Sequence, residues 1–272
     1  SRQYCSQSSL HQPSTEETSG EIRHVQSHPG RSFDDTLSLC SWRHQMLCWA
    51  YSVCERFEID DSVLEISFNI LDRFIALKIL SERGCAHFLL NRQDFQLFGM
   101  VSFYIATKLF HGNKRLQLHN LVEMARGYYT INEIEKTESD ILRALKWHLH
   151  PPTVMDYCEI YLTLFPLQYY KGYKEDRAGY RCSRSSFNGV TEIQALRCKC
   201  KAMVDIILGD VFFVDRANSV VALAVVLLAT DEFRGCGRNA TTLQTFLRNI
   251  QGVVNIHKPE FDSIISRLEC SC

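Results

Sequence analysis

Two charged side chains stand where apolar ones are expected, and they are the first candidates for chemistry in this sequence. Lys108 lies near the end of a run, Phe95 to Phe110, that is apolar nearly all the way round. Glu138 falls within the stripe Ile134, Ile141, Leu142 and Leu145, four residues after the first of these. A buried ammonium or carboxylate is costly unless it is paired and hydrogen-bonded. Opposite charges on two apolar segments therefore predict that the segments face each other through Lys108 and Glu138. Two uses are open for such a pair. It is an interior ion pair, adding little net stability because desolvation offsets the attraction, or it marks the rim of a surface, offering a donor and an acceptor to another protein's backbone.

Nothing else is arranged for bond-making. No Gly-rich phosphate loop follows a strand pattern, no nucleophile elbow occurs, and no His pair sits on one helix face at metal-binding spacing. The expectation is a chain that is no enzyme and takes no cofactor or metal. Twelve cysteines are present, several of them (Cys48, Cys54, Cys158) inside hydrophobic stretches where a free thiol acts as a small hydrophobe. Cys198/Cys200 and Cys270/Cys272 are spaced too closely for zinc pairs. With no secretory signal ahead of them, reduced thiols in the nucleus or cytoplasm are expected. The longest apolar run, Val220 to Ala229, is half of a membrane span, so no membrane role is expected. A formal net charge of −1 over 272 residues gives no overall basic field for nucleic acid.

The elements that must position Lys108 and Glu138 are helices. Trp42, Met46, Trp49, Ala50, Val53, Cys54 and Phe57 recur at steps of three and four, the signature of an amphipathic helix. Asp60 or Asp61 then suits the cap of a second helix presenting Val63, Leu64, Ile70, Leu71 and Phe74. Phe95 to Phe110, apolar all round, predicts a central helix enclosed by others. A fourth runs over about 118–126. Thr130 with Glu133 forms a capping box for a fifth that reaches Trp147, and Pro151 and Pro152 stop it. A second set follows over 153–165, 191–208, 220–230, 241–254 and 259–268, with Asn218 or Ser219 capping its own nearly all-apolar third helix.

The fold class predicted is all-α, two tandem five-helix units each around a central apolar third helix. Residues 1–36, polar and without periodicity, are expected to be a disordered tail. The first unit covers 37–150 and the second 151–272, with an insertion at about 168–190 whose basic and tyrosine residues suit an exposed loop. The two central helices overlay at an offset of 123: Ser-Phe-Tyr-Ile-Ala-Thr-Lys-Leu-Phe from Ser102 against Val-Val-Leu-Leu-Ala-Thr-Asp-Glu-Phe from Val225. Ala-Thr and the final Phe match, which supports an internal duplication.

Ala-Thr-Lys108, then Glu138, Leu-Arg-Ala-Leu-Lys-Trp147 and Pro-Pro-Thr153, resembles the first cyclin box. So does Leu71-Asp72-Arg73-Phe74 on the second helix, as does Arg43 followed six residues later by Trp49. The resemblance covers 42–153 by motif and the second half by topology. It implies a cyclin that binds and activates a cyclin-dependent serine/threonine kinase of the cell cycle, forming a heterodimer through Lys108, Glu138, Ile105, Leu109, Leu142, Trp147 and Leu149. A cyclin of a transcription- or nutrient-signalling kinase is the alternative implied. A cyclin-fold general transcription factor is a further one, but it would need a basic face and usually a zinc ribbon, and no Cys-x-x-Cys is present. The resemblance also implies a patch docking kinase substrates or inhibitors at Trp42, Gln45, Met46, Trp49, Phe95 and Gln96. Here Trp42 and Gln45 replace the usual Met and Ile, and Ser52 replaces the usual acidic residue. Arg43, Asp72 and Arg73 are expected to be structural, tying helices through hydrogen bonds.

Overall fold

The helical pattern read from the sequence is the pattern found in the structure, a computed structural model that describes residues 33–81, 90–111, 116–164, 189–230, 246, 248–250 and 257–271. Nine helices are numbered here: α1 (Phe33–Phe57), α2 (Val63–Ser81), α3 (Arg92–His111), α4 (Leu118–Met124), α5 (Ile131–Ala144), α6 (Val154–Leu164), α7 (Gly189–Gly209), α8 (Asn218–Ala229) and α9 (Lys258–Ser271). A single 3-10 turn, Val211–Phe213, joins α7 to α8. Among the described residues there is no strand.

Two apolar cores form. The first gathers α1 to α5 around α3, whose residues from Phe98 to Thr107 are all buried, as a helix apolar on every side requires. The second gathers α6, α7 and α9 around α8, where Val220 to Leu227 and Ala229 are buried. The paired Thr residues of the 123-residue offset both turn back onto their own helix. Thr107 Oγ1 donates to the Phe103 carbonyl at 2.9 Å and Thr230 Oγ1 to the Val226 carbonyl at 3.0 Å. A buried hydroxyl on a helix can turn back onto the carbonyls of the preceding turn, and Thr230 Oγ1 also reaches the Leu227 carbonyl at 2.8 Å.

Several boundaries differ from expectation. α1 begins at Phe33, inside the segment read as tail, because the apolar stripe starts before Trp42: Leu39 already packs on the core. α8 opens after Ala217, so neither Asn218 nor Ser219 caps it; Asn218 Nδ2 donates instead to the Pro152 carbonyl at 2.9 Å. α5 stops at Ala144, three residues before Trp147. The first 32 residues, most of the 168–190 insertion and most of the helix expected at 241–254 lie outside the described residues, although Phe246 and 248–250 are helical.

The halves meet on α1 and α2. Arg43, 5% exposed, donates twice to Asp72 (2.5 and 3.0 Å) and once from Nε to the Leu208 carbonyl at 2.8 Å. Its guanidinium also lies 4.7 Å from the Phe68 ring centroid. One side chain thus ties α1 to α2 and to the end of α7. Lys201 of α7 pairs with Asp61 at 2.9 Å. Glu65 of α2 accepts the Met155 amide at 3.1 Å, in the first turn of α6, which Thr153 and Asp156 cap reciprocally. A helix start leaves such amides unpaired, so the second half borrows a carboxylate from the first. A cleft of about 250 Å³ lies along this joint, lined by Arg43, Asp72, Arg73, Thr153, Leu208 and Asn218 among others.

Candidate protein-interaction site

α3 and α5 pack together, and this brings Lys108 to Glu138: the ammonium donates to Glu138 Oε1 across the thirty intervening residues. The capping box predicted at Thr130 and Glu133 sets where α5 begins. Thr130 Oγ1 accepts the Glu133 amide at 3.3 Å, and the Glu133 carboxylate accepts the Thr130 amide at 2.8 Å. The Thr130 amide, and after it the Thr130 hydroxyl, hold the exposed Glu133 carboxyl below its usual range. With the start fixed, helical spacing puts Glu138 opposite Lys108.

The pair is not sealed in the interior. The Lys108 side chain keeps 32% of its surface exposed and Glu138 keeps 16%. Pairs with this much water access contribute little to stability. Lys108 Nζ also lies 4.7 Å from the ring centroid of Tyr104, one turn back on α3. A ring face attracts a cation, so the ammonium is held from below by an aromatic ring and from the side by a carboxylate. Burial, the largest cause, pushes the Tyr104 hydroxyl up; Glu138 and Glu135 push the same way, and Lys108 opposes them.

The neighbours divide into support and surface. Ile105 and Leu149, expected at the contact, are 3% and 8% exposed and belong to the core, where they can support the ledge but offer almost no area. Leu142 is partly buried. Leu109, Phe110 and Trp147 are 47%, 46% and 71% exposed. Phe110, which sequence reasoning missed, stacks at 5.3 Å from His150. Trp147 stands out because its exposure is maintained by an unusual backbone. Lys146 and Trp147 have φ of 51° and 62°, the left-handed region that L residues enter at a cost. Their amides close the end of α5 by donating to the carbonyls of Arg143 (3.1 Å) and Leu142 (3.0 Å). That turn, normally a glycine's place, points a large apolar side chain at solvent.

Arg73 Nη1 donates to the His148 carbonyl at 2.8 Å, fixing the segment just after Trp147 to α2. Arg43, Asp72 and Arg73 thus make these hydrogen bonds within the fold, joining α1, α2, the end of α7 and the segment after α5. Of the six residues read as a docking patch, Met46 (6%) and Phe95 (2%) are core, which corrects their assignment to the surface. Trp42 rests 6.1 Å from Phe95, and Trp49 5.6 Å from Phe103. Gln45 and Gln96 are exposed, with Gln45 Oε1 accepting from Arg92 at 2.9 Å.

The family model described as "Cyclin, N-terminal domain" matches residues 15–150. The chain is 32% identical over 108 residues to a G2/mitotic-specific cyclin-2 of Antirrhinum majus, covering 40% of this chain and 22% of that protein. It is 31% identical over 113 residues to Cyclin-A3-3 of Arabidopsis thaliana (42% and 31%). It is 30% identical over 112 residues to a cyclin homolog of Saimiriine herpesvirus 2 (41% and 40%). The matched region therefore spans well under two thirds of each of these relatives. A crystal structure of a viral cyclin from herpesvirus saimiri superposes with a TM-score of 0.55 at 18% identity, covering 86% of both chains, which shows a shared fold across both halves.

Proposed function

The chain belongs to the cyclin family, and on that premise we propose that it is the non-catalytic subunit of a cyclin-dependent serine/threonine kinase, which it binds and activates in the cell cycle. The observation that carries this reading is the Lys108–Glu138 pair, still partly open to solvent beside the exposed Leu109, with the exposed Trp147 just past the end of α5. A buried pair would have no partner to address. This one presents unused donors on the ammonium and unused lone pairs on the carboxylate beside apolar area, the combination from which protein interfaces draw orientation and affinity.

Activation follows from differential binding. An active kinase needs its catalytic lysine paired with a glutamate on a mobile helix, and its activation loop moved aside. A rigid ledge complementary to that arrangement favours it by the difference in affinity between the two states, and by no more than that. Helices α3 and α5 are held firmly because α3 is buried from Phe98 to Thr107 and α5 is capped at both ends. Action in the nucleus, the cytoplasm or both belongs to the same proposal.

The test is to co-purify the chain with candidate cyclin-dependent kinases and measure phosphorylation of a histone peptide. Lys108→Ala, Glu138→Ala and Trp147→Ala should each lower complex formation and stimulated activity at least about tenfold, while circular dichroism stays unchanged. If all three variants bind and stimulate as well as wild type, the ledge is not the kinase surface.

A further inference from the structure

On the solvent side of α1, one turn apart, His44 and Cys48 are both exposed, and Cys48 Sγ lies 3.6 Å from His44 Nε2. We propose that this pair is a two-ligand site for a soft divalent cation, zinc above all, independent of the kinase-facing ledge. Helical residues four apart project from one face, the spacing by which two side chains of one helix share a zinc ion. The geometry fits closely. Zinc–sulfur and zinc–nitrogen bonds of about 2.3 and 2.05 Å at a tetrahedral angle of about 109° place the two ligand atoms about 3.6 Å apart. The separation of the two atoms is the one a shared zinc ion sets, so small side-chain rotations suffice and the helix backbone need not move.

The neighbouring polar groups are occupied elsewhere. The Ser52 hydroxyl donates to the Cys48 carbonyl at 3.0 Å, and Gln45 is engaged with Ser41 and Arg92. Among the described residues no charged side chain pairs with the imidazole or the thiol, and each is the other's only side-chain partner. On binding, the thiol proton leaves to solvent and the thiolate and the Nε2 lone pair enter the coordination sphere. Among the described residues no third His, Cys, Asp or Glu joins them. Two tetrahedral positions therefore stay open to water or to donors from another molecule, which makes the ion exchangeable rather than structural.

The test uses the full chain under a phosphine reductant, with alkylation of Cys48 by iodoacetamide followed by peptide mass spectrometry. Coordinated thiolate is shielded from the reagent, so zinc should slow Cys48 labelling about tenfold in wild type and less than about twofold in His44→Ala. The exposed Cys198 serves as the internal reference for reagent depletion. In parallel, cobalt titration should show a thiolate-to-metal absorption band that falls by one equivalent in both His44→Ala and Cys48→Ser. Cys48 labelling that ignores zinc overturns the proposal, as does protection that survives intact in His44→Ala. Both side chains are exposed, so neither substitution threatens the fold, and failure here leaves the kinase-binding reading untouched.

Discussion

Replacing Arg43 by Met should be among the most damaging single changes in the first half, and its size can be worked from the contacts. The substitution keeps most of the aliphatic stem over Phe68 but removes both bonds to Asp72 and the bond to the Leu208 carbonyl. Breaking a buried ion pair from one side costs about 3–5 kcal/mol, since the remaining charge is stranded. Asp72 retains 18% side-chain exposure, and water reaching it sets the cost at the lower end, about 3 kcal/mol. The orphaned carbonyl adds about 1 kcal/mol. Arg43→Met should therefore lose about 4 kcal/mol, whereas Arg43→Met/Asp72→Leu, with no stranded charge, should lose only about 1–2 kcal/mol. Urea unfolding followed by fluorescence of Trp42 and Trp49, both on α1, reports on this half directly. Because the Leu208 bond joins the halves, far-UV circular dichroism should separate from fluorescence in the single variant, a departure from two-state behaviour. A cost below about 1 kcal/mol for Arg43→Met, or equal costs for single and double variants, would refute the reasoning.

Three other outcomes are expected. Burial, its largest cause, raises the Glu65 carboxyl above its ordinary 4.5; the folded state holds the proton more tightly, so the contribution of the group is fully present below that value and is lost as pH rises through the raised one. Glu65→Gln, whose carbonyl can still accept the Met155 amide, should thus gain on wild type in urea titrations run from about pH 4 to pH 7. A Cβ at Gly99 would sit 2.7 Å from Met46 Cε, the far end of a flexible side chain that can turn aside; with the helix propensity gained offsetting that shift, Gly99→Ala should change stability by less than about 1 kcal/mol in urea unfolding, and a larger loss would mean that Met46 is locked in place. Lys146→Gly should raise stability by up to about 1 kcal/mol by relieving the left-handed turn that ends α5, measured by thermal unfolding; no gain would mean that the turn is unstrained.

The α-helical architecture was legible because its signals are local. Periodic apolar residues, the Thr130–Glu133 box and the two proline residues after Trp147 each act within a few residues of themselves, and they placed α2 to α5 within two turns, while the start of α1 lies nine residues before the first periodic residue, Trp42. Lys108 and Glu138 were legible for a different reason: a lone charge in an apolar helix must be answered by another. The same argument applies to Glu65, set among Val63, Leu64 and Ile66, and it was overlooked there because its answer is not a cation but a helix amide ninety residues on. Burial of Ile105, Leu149, Met46 and Phe95 could not be read from spacing, since an apolar residue facing a partner and one facing a core look alike in sequence. The backbone at Lys146 and Trp147 was hidden as well, because no glycine marks the left-handed turn. The joint through Arg43 and Leu208 depends on two residues 165 apart, a pairing that only the assembled fold defines.

That joint has a consequence for how the molecule can change. The second half leans on α1 and α2, whereas the Lys108–Glu138 pair is mounted on α3 and α5. Grip and anchorage are thus assigned to different helices of one bundle. Alterations in the rear unit, such as a longer connection between α6 and α7, can accumulate without passing through the helices that carry the grip, so the two units are free to drift apart in sequence while the front keeps its shape.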